Sequence, residues 1–282
     1  MAEQSTSRLN RLEKDLPEGL VVDAAWLEQR GIASNLRSYY VKHGWLEQPA
    51  RGVYRRPRGS LGWQQVVISL QTLLEVPLIV GGRTALELQG FAHYLTHETK
   101  TIHLHGPEKP PHWLAKLGLP QTFVYRNSET LFRNDPVSFG LGSLAWDAEK
   151  NEGRDLERLQ GGSLERISWG QWDWPLTLSK PERAYLEMLD ELPRHESFHQ
   201  ADMIMQGAAN LSPRRLTKLL GDCRSIKVKR LFFFFADRHG HAWRKRIDPE
   251  QFDLGKGKRM LVKGGRLDPV YQITVPENLD GV

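Results

Sequence analysis

Between Ser34 and Lys42 the chain sets Ser34, Asn35, Arg37, Ser38 and Lys42 around the apolar pair Leu36 and Tyr40, which are four residues apart. On a helix, that spacing puts Leu36 and Tyr40 on one face. The polar residues are then available to the edge of a DNA groove. Asn can make two hydrogen bonds to adenine, Arg two to guanine, and Ser one to either. Lys42, nearer the helix end, suits a phosphate. A second group, Arg51, Arg55, Arg56 and Arg58, follows within one short segment and would meet backbone or minor groove from a hairpin. The same segment could instead serve protein contacts, because a fold does not dictate its ligand.

Three other constellations carry chemistry. Leu78-Ile79-Val80 followed by Gly81-Gly82 and a helix start is a possible anion cradle. It is similar to the Gly-Gly turn of nucleotidyltransferases. Those enzymes also need paired carboxylates on a following strand to hold metal ions. The strand available here reads Thr101-Ile102-His103-Leu104-His105, so the turn is expected to be steric and no cofactor is expected. His93, His97, His103, His105 and His112 form a histidine-rich stretch. Alternation puts His103 and His105 on one strand face. Without a His-Glu-x-x-His spacing or a similar pattern, they are expected to be polar residues on a solvated or interface face, with no metal. The third is a basic surface near the C-terminus, expected from Arg214, Arg215, Lys227, Lys229, Arg230, Arg244, Lys245 and Arg246, and continued by Lys256, Lys258, Arg259 and Lys263. It would suit nucleic acid or an acidic partner. No Gly-x-Ser-x-Gly, complete P-loop or nucleophile–His–acid set is legible, so no catalytic residue is assigned. Cys223 is the single cysteine, which excludes an intramolecular disulfide and a cysteine-based zinc site.

The elements that must position these groups follow from composition and pattern. The chain has 282 residues, 39% of them hydrophobic and 26% charged, which excludes a fibre and a mostly disordered chain. No run of 18 apolar residues is present and the N-terminus is polar, so a cytoplasmic protein without a membrane span is expected. The net charge of +5 is uneven: residues 1–60 carry +3, 61–175 carry −3, 176–282 carry +5, and 206–266 alone +11. Three units are expected at 1–60, 61–175 and 176–282, in an α+β chain. The first reads helix, helix with Asp23 as N-cap, short turn, helix capped by Ser34, and a hairpin at 45–54, the order of a winged helix-turn-helix. The second alternates helices and strands to 126, and 147–175 reads as an irregular connection. The third opens on a helix with Ser179 and Glu182 as a capping box. In the same unit, 228–236 and 242–247 read as a β-hairpin, because Phe232 to Phe235 looks like a strand buried on both faces.

The order of features resembles the AbiEi-type antitoxins of bacterial type IV toxin–antitoxin systems. The segments that carry the likeness are Arg51-Gly52-Val53-Tyr54-Arg55, the helix from Trp63, the stretch from Val80-Gly81-Gly82-Arg83-Thr84-Ala85-Leu86 to Leu95, and Leu178-Ser179-Lys180-Pro181-Glu182-Arg183-Ala184. The resemblance implies a non-enzymatic winged-helix regulator. It would bind double-stranded DNA at inverted repeats in its own promoter and repress the operon. The remainder would neutralise a nucleotidyltransferase-like toxin, with which it need not form a stable complex. Two alternatives stay open: a nucleotide-using enzyme that modifies the toxin, and a protein-interaction module without sequence-specific DNA binding.

Overall fold

Leu9 and Leu12 fall on one face of helix α1 (Ala2–Asp15), and Leu12 and Leu16 are sealed in the core. The computed structural model describes residues 2–91, 100–139, 146, 147, 152, 153 and 162–279. After α1 the chain forms β1 (Val21–Asp23), α2 (Ala24–Gln29), α3 (Ser34–Lys42), β2 (Glu47–Ala50) and β3 (Val53–Arg55). Asp23 caps α2 as expected, accepting from the Trp26 amide at 2.8 Å. Ser34 does not cap α3. The N-cap is Ala33, and Ser34 is the first helical residue. The hairpin begins at Glu47 instead of Trp45, and β1, which its short length hid in the sequence, joins it. The result is a three-stranded sheet ordered β1-β3-β2, and the first unit is a winged helix.

Beyond it come α4 (Trp63–Thr72), β4 (Ile79–Val80), α5 (Gly82–Leu88), β5 (Thr101–Gly106) and β6 (Thr122–Asn127), a small ribbon of β7 (Trp146–Asp147) and β8 (Glu152–Gly153), then β9 (Leu164–Trp169) and β10 (Trp174–Ser179). The main sheet is ordered β6-β5-β4-β10-β9. β10 runs parallel to β4, with Leu178 opposite Val80, and β5 runs parallel to β6. The buried Gln71 side chain ties α4 to both central strands. Its amide donates to the carbonyls of Leu78 and Thr177 and its oxygen accepts from the Thr177 amide.

This sheet corrects two expectations. The polar stretch ending at residue 175 contains β9 and the first two residues of β10, not an irregular connection. Two of its tryptophans, Trp169 and Trp174, stack at 6.1 Å, while Trp172 is exposed. The boundary expected at 175 falls inside β10, so the second and third units share one sheet.

The remaining elements are α6 (Pro181–Asp190), α7 (Phe198–Gly207), α8 (Pro213–Asp222), α9 (Ile226–His239) and the pair β11 (Arg266–Asp268) and β12 (Ile273–Val275). α6 starts at Pro181 behind Lys180, with no capping box. Ser179 instead donates to Glu187, and Glu182 receives Arg215. The expected hairpin at 228–247 is α9 followed by a short 3-10 turn at Ala242–Arg246. A run of four apolar residues fits either period. The decisive signal is wider: Val228, Leu231, Phe232 and Phe235 recur at helical spacing and all are fully buried. Ser225 caps the helix start, and Gly240 ends it in a left-handed conformation at φ 60°. The middle of the helix, Val228 to Ala236, is buried on every side: Phe235 meets Phe198, Phe232 stacks on Trp243 and Phe233 stacks on Tyr271.

Candidate nucleic-acid interface

The winged helix presents one polar face. On α3, Ser34, Asn35, Ser38 and Lys42 are exposed, while Tyr40 is fully buried. Asn35 Oδ1 accepts from the Leu36 amide at 2.8 Å, which fixes its rotamer and leaves its NH2 group without a partner among the described residues. Ser38 donates to the Ser34 carbonyl at 3.1 Å. Arg51 is exposed in the turn between β2 and β3, and neither it nor Lys42 has an ion-pair partner among the described residues.

Three of the expected arginines do different work. Arg37 is only 8% exposed. Its Nη1 donates to the Ile32 carbonyl at 2.9 Å and to the Ala24 carbonyl at 3.4 Å. It therefore locks α2 to α3 and does not project to a base. Arg55 is buried, with Nε on Glu47 at 2.6 Å and Nη2 on the Gly59 carbonyl at 2.8 Å. Arg56 ties the wing to α1 through the carbonyls of Glu13 and Leu16 and through Glu18. Arginine reaches these partners because its long stem packs while its planar fork satisfies several acceptors. Arg58 pairs with Glu18 at 2.8 Å and lies over the Trp172 ring.

Sequence reasoning missed an aromatic group at the far end of α3. Tyr39 and Trp45 are 44% and 39% exposed. The Tyr39 and His43 rings lie 3.9 Å apart, and Trp45 sits edge-on to Tyr39. The signal was present, since Tyr39 and His43 are four residues apart on the polar side of α3.

The expected second basic surface divides. Arg214, Lys245 and Arg246 are exposed. The other five face inward. Arg215 Nη1 donates to both carboxylate oxygens of Glu182, and Lys227 donates to the carbonyls of Asp190 and Leu192. Lys229 and Arg230 are buried, and Arg244 bonds the Ile247 carbonyl and pairs with Asp237.

The Gly-Gly turn does hold an anion, and that anion belongs to the protein. Glu187 of α6 accepts from the Gly82 amide at 2.9 Å, from Ser179 at 3.0 Å and from Arg183 at 2.7 Å. A Cβ at Gly81 would run into the same carboxylate and into His105, and Gly82 needs φ 51°. The glycines are steric, as expected. His103 and His105 are correctly placed on one face but are not solvated: both are buried under this turn. His112 is exposed, and His93 and His97 lie outside the described residues. Among the described residues no group of His, Cys, Asp or Glu is arranged to hold a metal ion.

His103 Nδ1 meets Thr84 Oγ1 at 3.0 Å, and its Nε2 faces Glu196 at 3.5 Å. The order of groups imitates a relay triad, but all three are buried and Thr84 already donates to the Thr101 carbonyl. Burial, with His105 and Arg83 nearby, lowers the His103 pKa to about 4. Burial raises that of Glu196 to about 7. Between pH 4 and 6.5 the unfolded chain binds the extra proton at His103, so this group makes stability rise with pH. Between pH 4.5 and 7 the folded chain binds the extra proton at Glu196, so this group makes stability fall with pH. The two slopes oppose one another. Glu196→Gln removes the second, and its urea midpoint should climb from pH 4.5 to 6.5 more steeply than that of the parent protein. Parallel midpoint curves would contradict the pairing.

Comparison with known proteins bears on this interface. Residues 5–97 match the family model described as transcriptional regulator, AbiEi antitoxin N-terminal domain. Residues 148–276 match the model described as transcriptional regulator, AbiEi antitoxin, type IV TA system. The chain belongs to this AbiEi antitoxin family. Its N-terminal family segment spans the winged helix, α4 and the Gly-Gly turn. Its second covers β9, β10 and the helices that pack on the sheet. No curated protein matches the chain significantly. Among solved structures, the RV2827C protein from Mycobacterium tuberculosis is similar in fold, with a TM-score of 0.55 at 17% identity over 96% of this chain and 90% of that one. As an AbiEi-family regulator the protein has, among its described residues, no helix long and apolar enough to cross a membrane.

Proposed function

We propose that the protein is a sequence-specific DNA-binding antitoxin. It represses its own operon through inverted repeats in the promoter and neutralises a nucleotidyltransferase-like toxin encoded alongside. The observation that carries the DNA reading is the exposed polar face of α3 beside the exposed Arg51 of the wing. In a winged helix this helix enters the major groove and its N-terminal residues meet base edges. Asn35 and Ser34 would read bases, with Ser38 beside them, while Lys42 and Arg51 grip phosphates. Arg37, Arg55 and Arg56 support them from within. The reading includes no nucleotide-dependent step, because Glu187 occupies the Gly82 amide that a phosphate would need.

Fluorescence anisotropy on the DNA upstream of the reading frame, against scrambled DNA at two salt concentrations, tests the proposal. Discrimination between the two duplexes supports it, and equal salt-sensitive binding overturns it. Arg51→Gln should weaken both duplexes alike and reduce the salt slope by about 0.9, the value for one phosphate contact. A changed sequence preference at unchanged slope would move Arg51 from the backbone to a base.

A further inference from the structure

Asn35, Ser38, Tyr39 and Lys42 are all exposed and are spaced i, i+3, i+4 and i+7, so they form one stripe along α3. Three of them are the short polar or charged groups that base and phosphate contacts use. The fourth is a phenol ring, 44% exposed, in the middle of the stripe. That ring is held in place. His43 Nδ1 donates to the Tyr39 carbonyl at 2.8 Å, which fixes the imidazole against the phenol with ring centres 3.9 Å apart. Trp45 stands edge-on to Tyr39 at 5.8 Å and packs in turn on the buried Tyr40 ring at 5.3 Å. The Tyr39 hydroxyl has no hydrogen-bond partner among the described residues. A large ring ordered in advance loses little conformational freedom on binding.

We propose that Tyr39 is a specificity-determining residue of the DNA site, whose ring reads the 5-methyl group of a thymine in the major groove. This rests on the DNA reading above and names a feature that its operator must contain. Asn35 and Tyr39 are separated by about 6 Å of helix rise. The thymine should therefore lie about two base pairs from the base that meets Asn35, at 3.4 Å per step. The chemistry of the groove selects the ligand. An aromatic ring has no donor and acceptor pattern to match a polar base edge. The thymine methyl is the apolar group that base pairs present in the major groove, and apolar side chains read it. The hydroxyl at the far end of the ring is left to donate to a phosphate oxygen. The neighbours decide between DNA and a protein. The core of a protein interface is depleted in charge and closed by a polar rim. Tyr39 instead has Ser38, Lys42 and Asn35 along its own stripe, with aromatic support from His43 and Trp45 behind it.

The test uses the full chain on the inverted-repeat duplex upstream of its reading frame, with each thymine replaced in turn by uracil. That change removes one methyl group and keeps the base pairing. Anisotropy should show the parent losing affinity about fourfold at one thymine position of each repeat, the value of one buried methyl group. Tyr39→Ala should bind the thymine and uracil duplexes alike at that position while still preferring operator to scrambled DNA. Tyr39→Phe should keep the fourfold effect, because the ring stays. Tyr39→Gln replaces Tyr39→Ala if the latter melts well below the parent. A parent that binds every uracil duplex as tightly as the unmodified operator, yet still rejects scrambled DNA, overturns the proposal and leaves the α3 reading standing. A fourfold effect that survives in Tyr39→Ala hands the methyl to another side chain and also overturns it. Equal binding of the parent to operator and scrambled DNA sinks the α3 reading itself, and the proposal with it. An unaltered DNA profile in Tyr39→Ala with lost binding to the purified co-encoded toxin assigns the ring to a protein partner, which again overturns the proposal.

Discussion

Arg183→Met should lower the unfolding free energy by about 3–5 kcal/mol, the usual cost of removing one partner from a buried ion pair. Arg183 is 1% exposed and sits between two buried acids, with Nη1 on Asp135 and Nε on Glu187, both at 2.7 Å, and its cation over the Phe132 ring. Burial alone would push its pKa down, yet the two carboxylates hold it above the ordinary arginine value. Burial alone would likewise push Asp135 up, yet Arg183 holds it below the ordinary value. The pair therefore stabilises the charged forms against desolvation, and without the cation both carboxyl groups are stranded. Glu187 also carries the Gly82 amide and Ser179, so the loss reaches the Gly-Gly turn and the end of β10. Urea unfolding at pH 7 reads the effect as a lower midpoint at unchanged m. Arg183→Met/Glu187→Gln should recover part of it by removing one stranded charge. A loss below about 1 kcal/mol for the single variant would mean that apolar packing alone holds α6 to the sheet.

That cluster also marks the limit of what the sequence made legible. Elements that rest on local signals were readable. Asp23 announced α2, the spacing of Leu36 and Tyr40 announced α3, and Gly81-Gly82 announced a steric turn between β4 and α5. Elements defined by distant partners were not. β10 is central only because it pairs with β4, almost a hundred residues earlier, and nothing near Trp174 says so. Phe232 to Phe235 satisfies both periods locally. Its helical identity needs Val228 and Leu231 upstream and the aromatic partners Phe198, Trp243 and Tyr271, which lie on other elements.

The charged residues illustrate the same division more sharply. Counting cations found the basic region but not its outward face. Whether an arginine points to solvent depends on whether a carbonyl or carboxylate lies within reach of its fork, and those acceptors are set by tertiary structure. Arg37 meets the end of the α2–α3 turn, Arg56 the end of α1, and Arg230 the loop after Leu254. Each is bound to backbone carbonyls. These are charge-assisted bonds, worth more than neutral ones. The shorter or more remote residues Asn35, Ser38, Lys42 and Arg51 are what remain outside. A basic sequence can therefore hold a modest binding face, supported by a larger set of internal cations.

The sharpest consequence concerns two exposed positions near opposite ends of α3. Asn35→Ala/Lys42→Ala should weaken operator binding by about 2–4 kcal/mol, roughly 30- to 1000-fold. Of this, about 1–3 kcal/mol comes from a lost base contact and about 1 kcal/mol from one phosphate at physiological salt. Scrambled DNA should lose only the phosphate share, so the specificity ratio falls as well. Both side chains are exposed and have no hydrogen bond or ion pair to another element among the described residues, so the melting temperature should stay close to the parent's. Arg37→Ala is the counterpart. Removing its hydrogen bonds to the carbonyls of Ile32 and Ala24 should cost about 1–3 kcal/mol of stability, with operator and scrambled affinities falling together as the fold of the winged helix loosens. The two variants thus separate along different axes, anisotropy for one and denaturation for the other. If Arg37→Ala relaxes sequence preference in a protein that melts normally, Arg37 swings out on binding and belongs with the base-reading residues. If Asn35→Ala/Lys42→Ala leaves the operator preference intact, the polar face of α3 is not the reading surface. The aromatic group of Tyr39, His43 and Trp45 beside it would then be the face to probe for a protein partner.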